Sequence, residues 1–201
     1  MAKTAILLGG SGLVGNYLLD LLLEDENYEK IKIFSRRPLN KNHRKIQEFI
    51  CDLSDLFEYK DDFKADEVYC ALGTTKRKTP NKDEFRAIDF GLVKIAAKLS
   101  SENNIKTFCV ISVIGADKNS PFFYTKTKGQ MEEAVNSCNI KNTIILRPSF
   151  IYGPRKEFRI GEEIGILIAK TLAKIMPNKF KKYQPIHAKD LAKQMYEKSQ
   201  I

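Results

Sequence analysis

The chain has 201 residues, 43% of them hydrophobic and 29% charged, which suits one domain with its own core and excludes intrinsic disorder. Its 11 glycines and 7 prolines exclude collagen-like and low-complexity classes. The net charge of +9 fits anionic ligands, from phosphorylated small molecules to nucleic acid or lipid, or else a solvated lysine-rich surface.

Residues 4–8 form a short apolar run that stops at Gly9 and Gly10, and they predict a first strand. Residues 12–24 predict a helix, with Leu13, Val14, Tyr17, Leu18, Leu21 and Leu22 on one broad face. Strands follow at 31–34, at 46–51 before Asp52, and at 67–72 before Gly73. Residues 83–101 predict a helix whose apolar positions are Phe85, Ile88, Val93, Ile95, Ala96 and Leu99. A fifth strand at 107–113 is almost continuously apolar, then come a helix at 123–137 and a sixth strand at 143–146. Alternating elements with near-continuous apolar strands predict an α/β fold: a doubly wound parallel sheet, the Rossmann fold, with helices on both faces. The expected strand order is 3-2-1-4-5-6, with the ligand crevice at the carboxyl ends of strands 1 and 4.

No apolar run approaches the roughly 20 residues of a membrane span. Residues 1–4 carry one lysine and lead directly into the first strand, without a secretory apolar region, which predicts a cytoplasmic protein. Cys51, Cys70, Cys109 and Cys138 form no C-x-x-C pair, and the chain has only two histidines, His43 and His187. These residues predict reduced, packed thiols and no metal site.

Gly9, Gly10, Ser11, Gly12, Leu13, Val14 and Gly15 join the first strand to the first helix. They satisfy G-x-x-G-x-x-G from Gly9 and G-x-G-x-x-G from Gly10, in the context that gives the pattern its meaning. Glycines let the backbone approach a pyrophosphate, and the helix start offers free N–H groups and a positive dipole end. No Lys-Ser/Thr pair follows, which disfavours a triphosphate loop of the Walker type. An NAD site would place Asp or Glu at the end of the second strand, to hold the ribose 2′-hydroxyl. That strand ends instead in Ser35, Arg36 and Arg37. Two guanidiniums and a hydroxyl suit a 2′-phosphate, so NADP(H) is expected over NAD.

Ser112 lies at the end of the fifth strand, and Tyr124 and Lys128 stand four apart at the start of the following helix. At that spacing both side chains share a face. A free tyrosine ionises near pH 10, and a lysine cation nearby favours the phenolate. Tyr124 would exchange a proton with a carbonyl or alcohol oxygen while hydride moves to or from a nicotinamide. Ser112 would orient that oxygen, and Lys128 would hold the nicotinamide ribose.

Together these residues resemble the short-chain dehydrogenase/reductase superfamily. More narrowly, they resemble its small atypical branch that includes the mammalian HIV-Tat-interacting tumour suppressor and bacterial relatives. Beside the glycine loop and the Ser35-Arg36-Arg37 corner, the resemblance rests on Cys51-Asp52-Leu53, on Cys70-Ala71-Leu72-Gly73-Thr74-Thr75 and on Ser112 with Gly115-Ala116-Asp117. It continues through Phe122, Tyr124, Lys128, Gly129 and Glu132 to Leu146-Arg147-Pro148-Ser149. The resemblance implies that Asp52 and Leu53 contact the adenine, and that Ala71, Leu72, Gly73 and Thr74 line the ribose and pyrophosphate. It also implies that Pro148 and Phe150 sit by the nicotinamide. Residues 185–192 are similar to a late signature of extended members, in which the histidine, here His187, is structural. The fourth strand departs from the commonest reductases, carrying Ala-Leu-Gly in place of an Asn-Ala-Gly type of sequence.

Only 47 residues follow Pro154. Residues 155–186 are expected to form a small C-terminal helical lobe over the substrate, too short for a large nucleotide-sugar pocket. Residues 155–182 carry eight basic and three acidic side chains, and 160–176 predict an amphipathic helix. The segment reads as a lid with solvated lysines, an anionic-surface contact, a dimer face, or a device that steers an anionic substrate. No interleaved aromatic residues support base stacking. Three functions stay open: an NADP(H)-dependent oxidoreductase acting on a small carbonyl or alcohol; an NADPH-binding regulatory protein with little turnover; and an epimerase- or dehydratase-like enzyme with a resident nicotinamide.

Overall fold

The computed structural model describes residues 2–75, 77–154 and 184–200. Six parallel strands form one sheet: β1 (Lys3–Leu8), β2 (Tyr28–Ser35), β3 (Ile46–Ile50), β4 (Glu67–Cys70), β5 (Thr107–Ile111) and β6 (Asn142–Leu146). Their order is β3-β2-β1-β4-β5-β6, as the alternation of elements predicts. Successive side chains of a strand point to opposite faces, so apolar strands feed two cores. Ala5, Leu7, Ile31 and Ile33 join one core, against α1 (Leu13–Glu24). Ile6, Leu8, Phe34, Val68, Phe108 and Val110 join the other.

β2 begins three residues earlier than expected, at Tyr28, because its first residues belong to a polar network rather than to an apolar run. Tyr28 and Tyr69 both donate to Glu67 Oε2, at 2.5 and 2.8 Å, and Lys3 holds Oε1 at 2.8 Å. This network fastens the amino-terminal ends of β1, β2 and β4, opposite the crevice. A helix not anticipated as such, α5 (Ala188–Ser199), closes the first core. It is tied to the same end of the sheet by Tyr196 on Asp25 (2.7 Å) and Gln200 on Tyr28 (2.8 Å). His187 precedes α5, and its Nδ1 accepts from Lys189 N–H at 3.1 Å, a capping role consistent with a structural histidine.

The expected helix at 83–101 is broken into three consecutive parts: α2 (Lys82–Arg86), a π-helical turn (Ala87–Leu92) and α3 (Val93–Glu102). Asn81 caps the start through Asp83 and Glu84 N–H. α4 (Phe123–Asn136) follows β5. Gly129 lies where a Cβ would meet backbone of Asp117 and Lys118 at 2.2 Å, so the preceding loop rests directly on α4. Three residues on, Glu132 receives the Arg147 guanidinium through two bonds of 2.9 and 2.6 Å. The Lys-Gly-x-x-Glu and Leu-Arg-Pro-Ser motifs are therefore two halves of one joint between α4 and the end of β6.

Two further short strands, β7 (Ile151–Tyr152) and β8 (Ile186–His187), pair in parallel beside the sheet. The expected lobe at 155–186 and its basic segment lie, from 155 to 183, outside the described residues. Among the described residues no helix is long and apolar enough to cross a membrane. All four cysteines are free. Burial pushes the Cys70 thiol up to about 11 and the Cys109 thiol up to about 12. A thiol reagent at pH 8 should label Cys51 and Cys138 in the native protein, and Cys70 and Cys109 only after denaturation. Mass mapping of the modified peptides reads this directly.

Candidate active site

Because the strands are parallel, the carboxyl ends of β1, β4, β5 and β6 lie on one edge, and the candidate residues gather there. The β1–α1 loop is held by Gly12 N–H donating to Gly9 O at 2.9 Å. Gly9 has φ +82°, and a Cβ on it would lie 2.7 Å from Ala71 O. A Cβ on Gly15 would lie 2.1 Å from Gly9 O, so α1 starts in contact with the loop. No side chain caps α1 and its first turn holds no acid. The N–H groups of Leu13, Val14 and Gly15 therefore lack intrahelical acceptors, beside the short side chain of Ser11. This cradle, whose closed form a side chain at Gly9 or Gly15 would force apart, fits the pyrophosphate of a dinucleotide.

At the end of β2 the structure qualifies one part of the sequence reading. Ser35 is buried and its hydroxyl donates to Arg37 O at 2.8 Å, closing the turn rather than pointing outward. Arg36 and Arg37 are exposed and make no ion pair with a described residue. Asp52 follows β3 and caps the 3-10 turn Leu53–Tyr59, through Ser54 N–H at 2.9 Å and Ser54 Oγ at 2.8 Å. Those bonds, with a smaller contribution from the Arg36 charge, hold the Asp52 carboxyl below its ordinary range. Leu53 is buried in the core, so its side chain supports the corner from beneath.

After β4, Ala71 N–H donates to Leu8 O at 2.9 Å, which keeps Ala71, Leu72 and Gly73 alongside the glycine loop. Thr74 is engaged twice. Its N–H donates to Asp89 Oδ2 at 2.8 Å, and its hydroxyl pairs with Thr79 at 2.8 Å. At the end of β6, Pro148 O accepts from Ile114 N–H at 2.9 Å, and Phe150 O accepts from Ile186 N–H at 2.8 Å. Pro148 and Phe150 thus lie on the crevice edge, the Phe150 ring exposed.

Ser112 lies one residue beyond β5, buried, and among the described residues its Oγ has no hydrogen-bond partner. A buried hydroxyl without a partner is costly unless a ligand or water completes it. Lys128 is 3% exposed, and its Nζ donates to Ile111 O at 2.9 Å, the residue before Ser112. Lys128 and Ser112 are therefore neighbours across the α4–β5 contact. Tyr124 lies one turn before Lys128, and its hydroxyl makes no hydrogen bond to a described residue.

The charge of this site differs from the sequence expectation. Lys128 was expected to favour the Tyr124 phenolate. Partial burial, and then the negative charge of Asp89, instead push the phenol up to about 12. Asp89, 2% exposed, also lies 3.5 Å from Lys128 Nζ, where its charge opposes that of the lysine. Burial in turn holds the Asp89 carboxyl above its ordinary value, against the pull of Lys128 and of Thr74 N–H. Asp89 was not singled out from sequence. The available signal was an acid at a buried position of a helix, four residues after Phe85.

The profile of the NAD dependent epimerase/dehydratase family matches residues 5–197. The chain is 34% identical over 194 residues to "Protein FMP52, mitochondrial" of Meyerozyma guilliermondii, covering 94% of this chain and 82% of that protein. It is 32% identical over 164 residues to "Protein HTATIP2" of Rattus norvegicus, covering 80% and 67%. Among solved structures, the Bordetella bronchiseptica enzyme WbmG in complex with NAD has a TM-score of 0.72 at 15% identity, over 99% of this chain and 69% of that one. UDP-glucose 4-epimerase of Thermotoga maritima, with UDP-glucose, also has 0.72 at 15%, over 96% and 72%. These structures share the fold. The expectation of a cytoplasmic location is corrected: the yeast relatives are named as mitochondrial proteins. The expectation rested on the lack of a secretory apolar region, which separates secreted from non-secreted chains and does not distinguish the compartments within a cell.

Proposed function

The chain belongs to the NAD dependent epimerase/dehydratase family, in the atypical short-chain dehydrogenase/reductase branch, and from that premise we propose that it is an NADP(H)-dependent oxidoreductase acting on a small carbonyl or alcohol. The observation that carries the reading is the buried hydroxyl of Ser112, without a partner among the described residues, on the edge where Lys128 is anchored one turn after Tyr124.

When bound, the nicotinamide supplies or accepts hydride. The chain's own residues do the rest. The Gly9–Gly15 cradle holds pyrophosphate, Arg36 and Arg37 engage a 2′-phosphate, and Lys128 holds the nicotinamide ribose. Ser112 Oγ donates to the substrate oxygen and fixes its position. Tyr124 gives its phenolic proton to that oxygen as negative charge develops there. The exposed rings of Phe122 and Phe123 beside Tyr124 favour a carbonyl compound with an apolar body.

Calorimetric titration with NADPH and with NADH tests the cofactor half of the proposal. NADPH should bind at least tenfold more tightly, and replacing both Arg36 and Arg37 by alanine should remove most of that difference. Equal affinity for the two would overturn the preference. The family match also favours a second reading, an epimerase or dehydratase that keeps its nicotinamide. That reading predicts cofactor retained through purification, and no net redox change with any substrate.

A further inference from the structure

Tyr124 and Lys128 are four residues apart on α4, and a second pair with the same spacing faces them. Phe85, on α2, is 4% exposed and meets the Tyr124 ring edge-on, at 5.8 Å between centroids and 75° between planes. Asp89, in the π turn, reaches Lys128 Nζ at 3.5 Å. Phe85 also meets the Phe123 ring, at 5.7 Å and 64°, so it is wedged against the start of α4 while Asp89 holds the lysine one turn on. We propose that Phe85 and Asp89 are positioning residues for the acid/base pair, Phe85 fixing the plane of the Tyr124 ring and Asp89 fixing the place and the charge of Lys128. The inference rests on the reading of Tyr124 as the acid/base of this site.

Three observations support it. The first is the backbone. A π turn widens a helix at a cost in packing and is commonly found at functional sites, and here Asp89 lies within it, buried. The second is that Asp89 has two partners on different elements. Oδ1 faces Lys128, and Oδ2 accepts from Thr74 N–H at 2.8 Å, in the segment after β4 that carries Ala71, Leu72 and Gly73. One carboxylate therefore ties the expected cofactor strip to the lysine. The third is the electrostatic balance. Among the described residues, Lys128 from α4 and Cys70 from β4 are the other titratable groups acting with Asp89 at this point, and Lys82 lies over the neighbouring Phe123 ring rather than over Tyr124. The Asp89 charge acts on Tyr124 with the sign that keeps its proton on.

The test titrates Tyr124 itself, in protein carrying ring-labelled tyrosine, with the resonance assigned by its loss in Tyr124→Phe. In the wild type that resonance should show almost no phenolate at about pH 10.5. Asp89→Asn keeps the shape and removes the charge. It should lower the midpoint by roughly one pH unit or more, so that phenolate becomes plain at the same pH. Asp89→Ser, which leaves room for water, is the second variant if the first does not fold. An unmoved midpoint in a folded variant overturns the proposal, and so does failure of both variants to fold, which would assign Asp89 to the core alone. Phe85→Leu should leave the midpoint in place and lower kcat at least tenfold on a confirmed carbonyl substrate, with KM unchanged. A rise in KM alone would remove Phe85 from the pair. The titration needs neither substrate nor cofactor. Absence of turnover would therefore sink the oxidoreductase reading alone, and an unmoved midpoint would sink the positioning role alone.

Discussion

Replacing Tyr124 by phenylalanine should lower turnover by about 10²- to 10⁴-fold and leave both NADPH affinity and thermal stability close to wild type. The substitution removes one hydroxyl that has no partner among the described residues, and keeps the ring that packs edge-on against Phe85. No core contact is lost. Lys128 keeps its bond to Ile111 O, and the glycine loop is untouched. A loss confined to kcat is therefore the mark of a proton no longer delivered. Turnover within a few-fold of wild type on a confirmed substrate would remove Tyr124 from the acid/base role. Loss of cofactor affinity in step with turnover would make it a binding residue.

The raised phenol also gives the site a direction. With its value near 12, Tyr124 is protonated throughout the neutral range and stands ready to donate. That suits reduction of a carbonyl, where the developing alkoxide takes the proton. Alcohol oxidation needs the phenolate, which becomes available only as pH rises toward 12 unless a positive charge enters the site. Reduction should therefore be flat with pH between about 6 and 9, and oxidation should climb over the same interval. Burial sets this bias first, and Asp89 adds to it, acting on Tyr124 directly and opposing the Lys128 charge.

The features legible in the sequence are those whose physics is local. The glycine loop is read from seven consecutive positions because its backbone needs no distant partner, and strand order follows from alternation of apolar runs. Ser112, Tyr124 and Lys128 are legible by spacing, and the structure gathers Lys128 and Ser112 at one carboxyl edge. Asp89 was hidden because its meaning depends on Lys128, 39 residues away, and on a π turn that no periodicity announces. Phe85 looked like an ordinary core position and is one, with the added contact to Tyr124. Ser35 misled for the opposite reason: its type suits a phosphate, but the turn takes its hydroxyl. The start of β2 was missed because Tyr28 is buried through its bonds to Glu67 and Tyr69 rather than through an apolar pattern.

Gly15→Ala should abolish dinucleotide binding and destabilise the protein, by about 1–3 kcal/mol or more for forced overpacking. A Cβ there would stand 2.1 Å from Gly9 O, 2.8 Å from Gly9 C and 3.0 Å from Gly10 Cα. All three are backbone atoms, so no side chain can turn aside. The relief available is to lift the start of α1 away from the loop, and that movement opens the cradle whose free N–H groups face the anion. Gly12→Ala is the matched control for stability. Its Cβ meets a single atom, Gly9 O at 3.1 Å, which a shift of a few tenths of an ångström accommodates. Gly10→Ala meets only the flexible ends of Leu39 and Leu7, at 3.2 and 3.3 Å, and Ile33 at 3.7 Å. The expected order of damage to melting temperature is thus Gly15 well above Gly12 and Gly10. If Gly15→Ala bound NADPH as tightly as wild type, the loop would not be the pyrophosphate site, because no arrangement of the present backbone holds both that methyl group and the closed cradle.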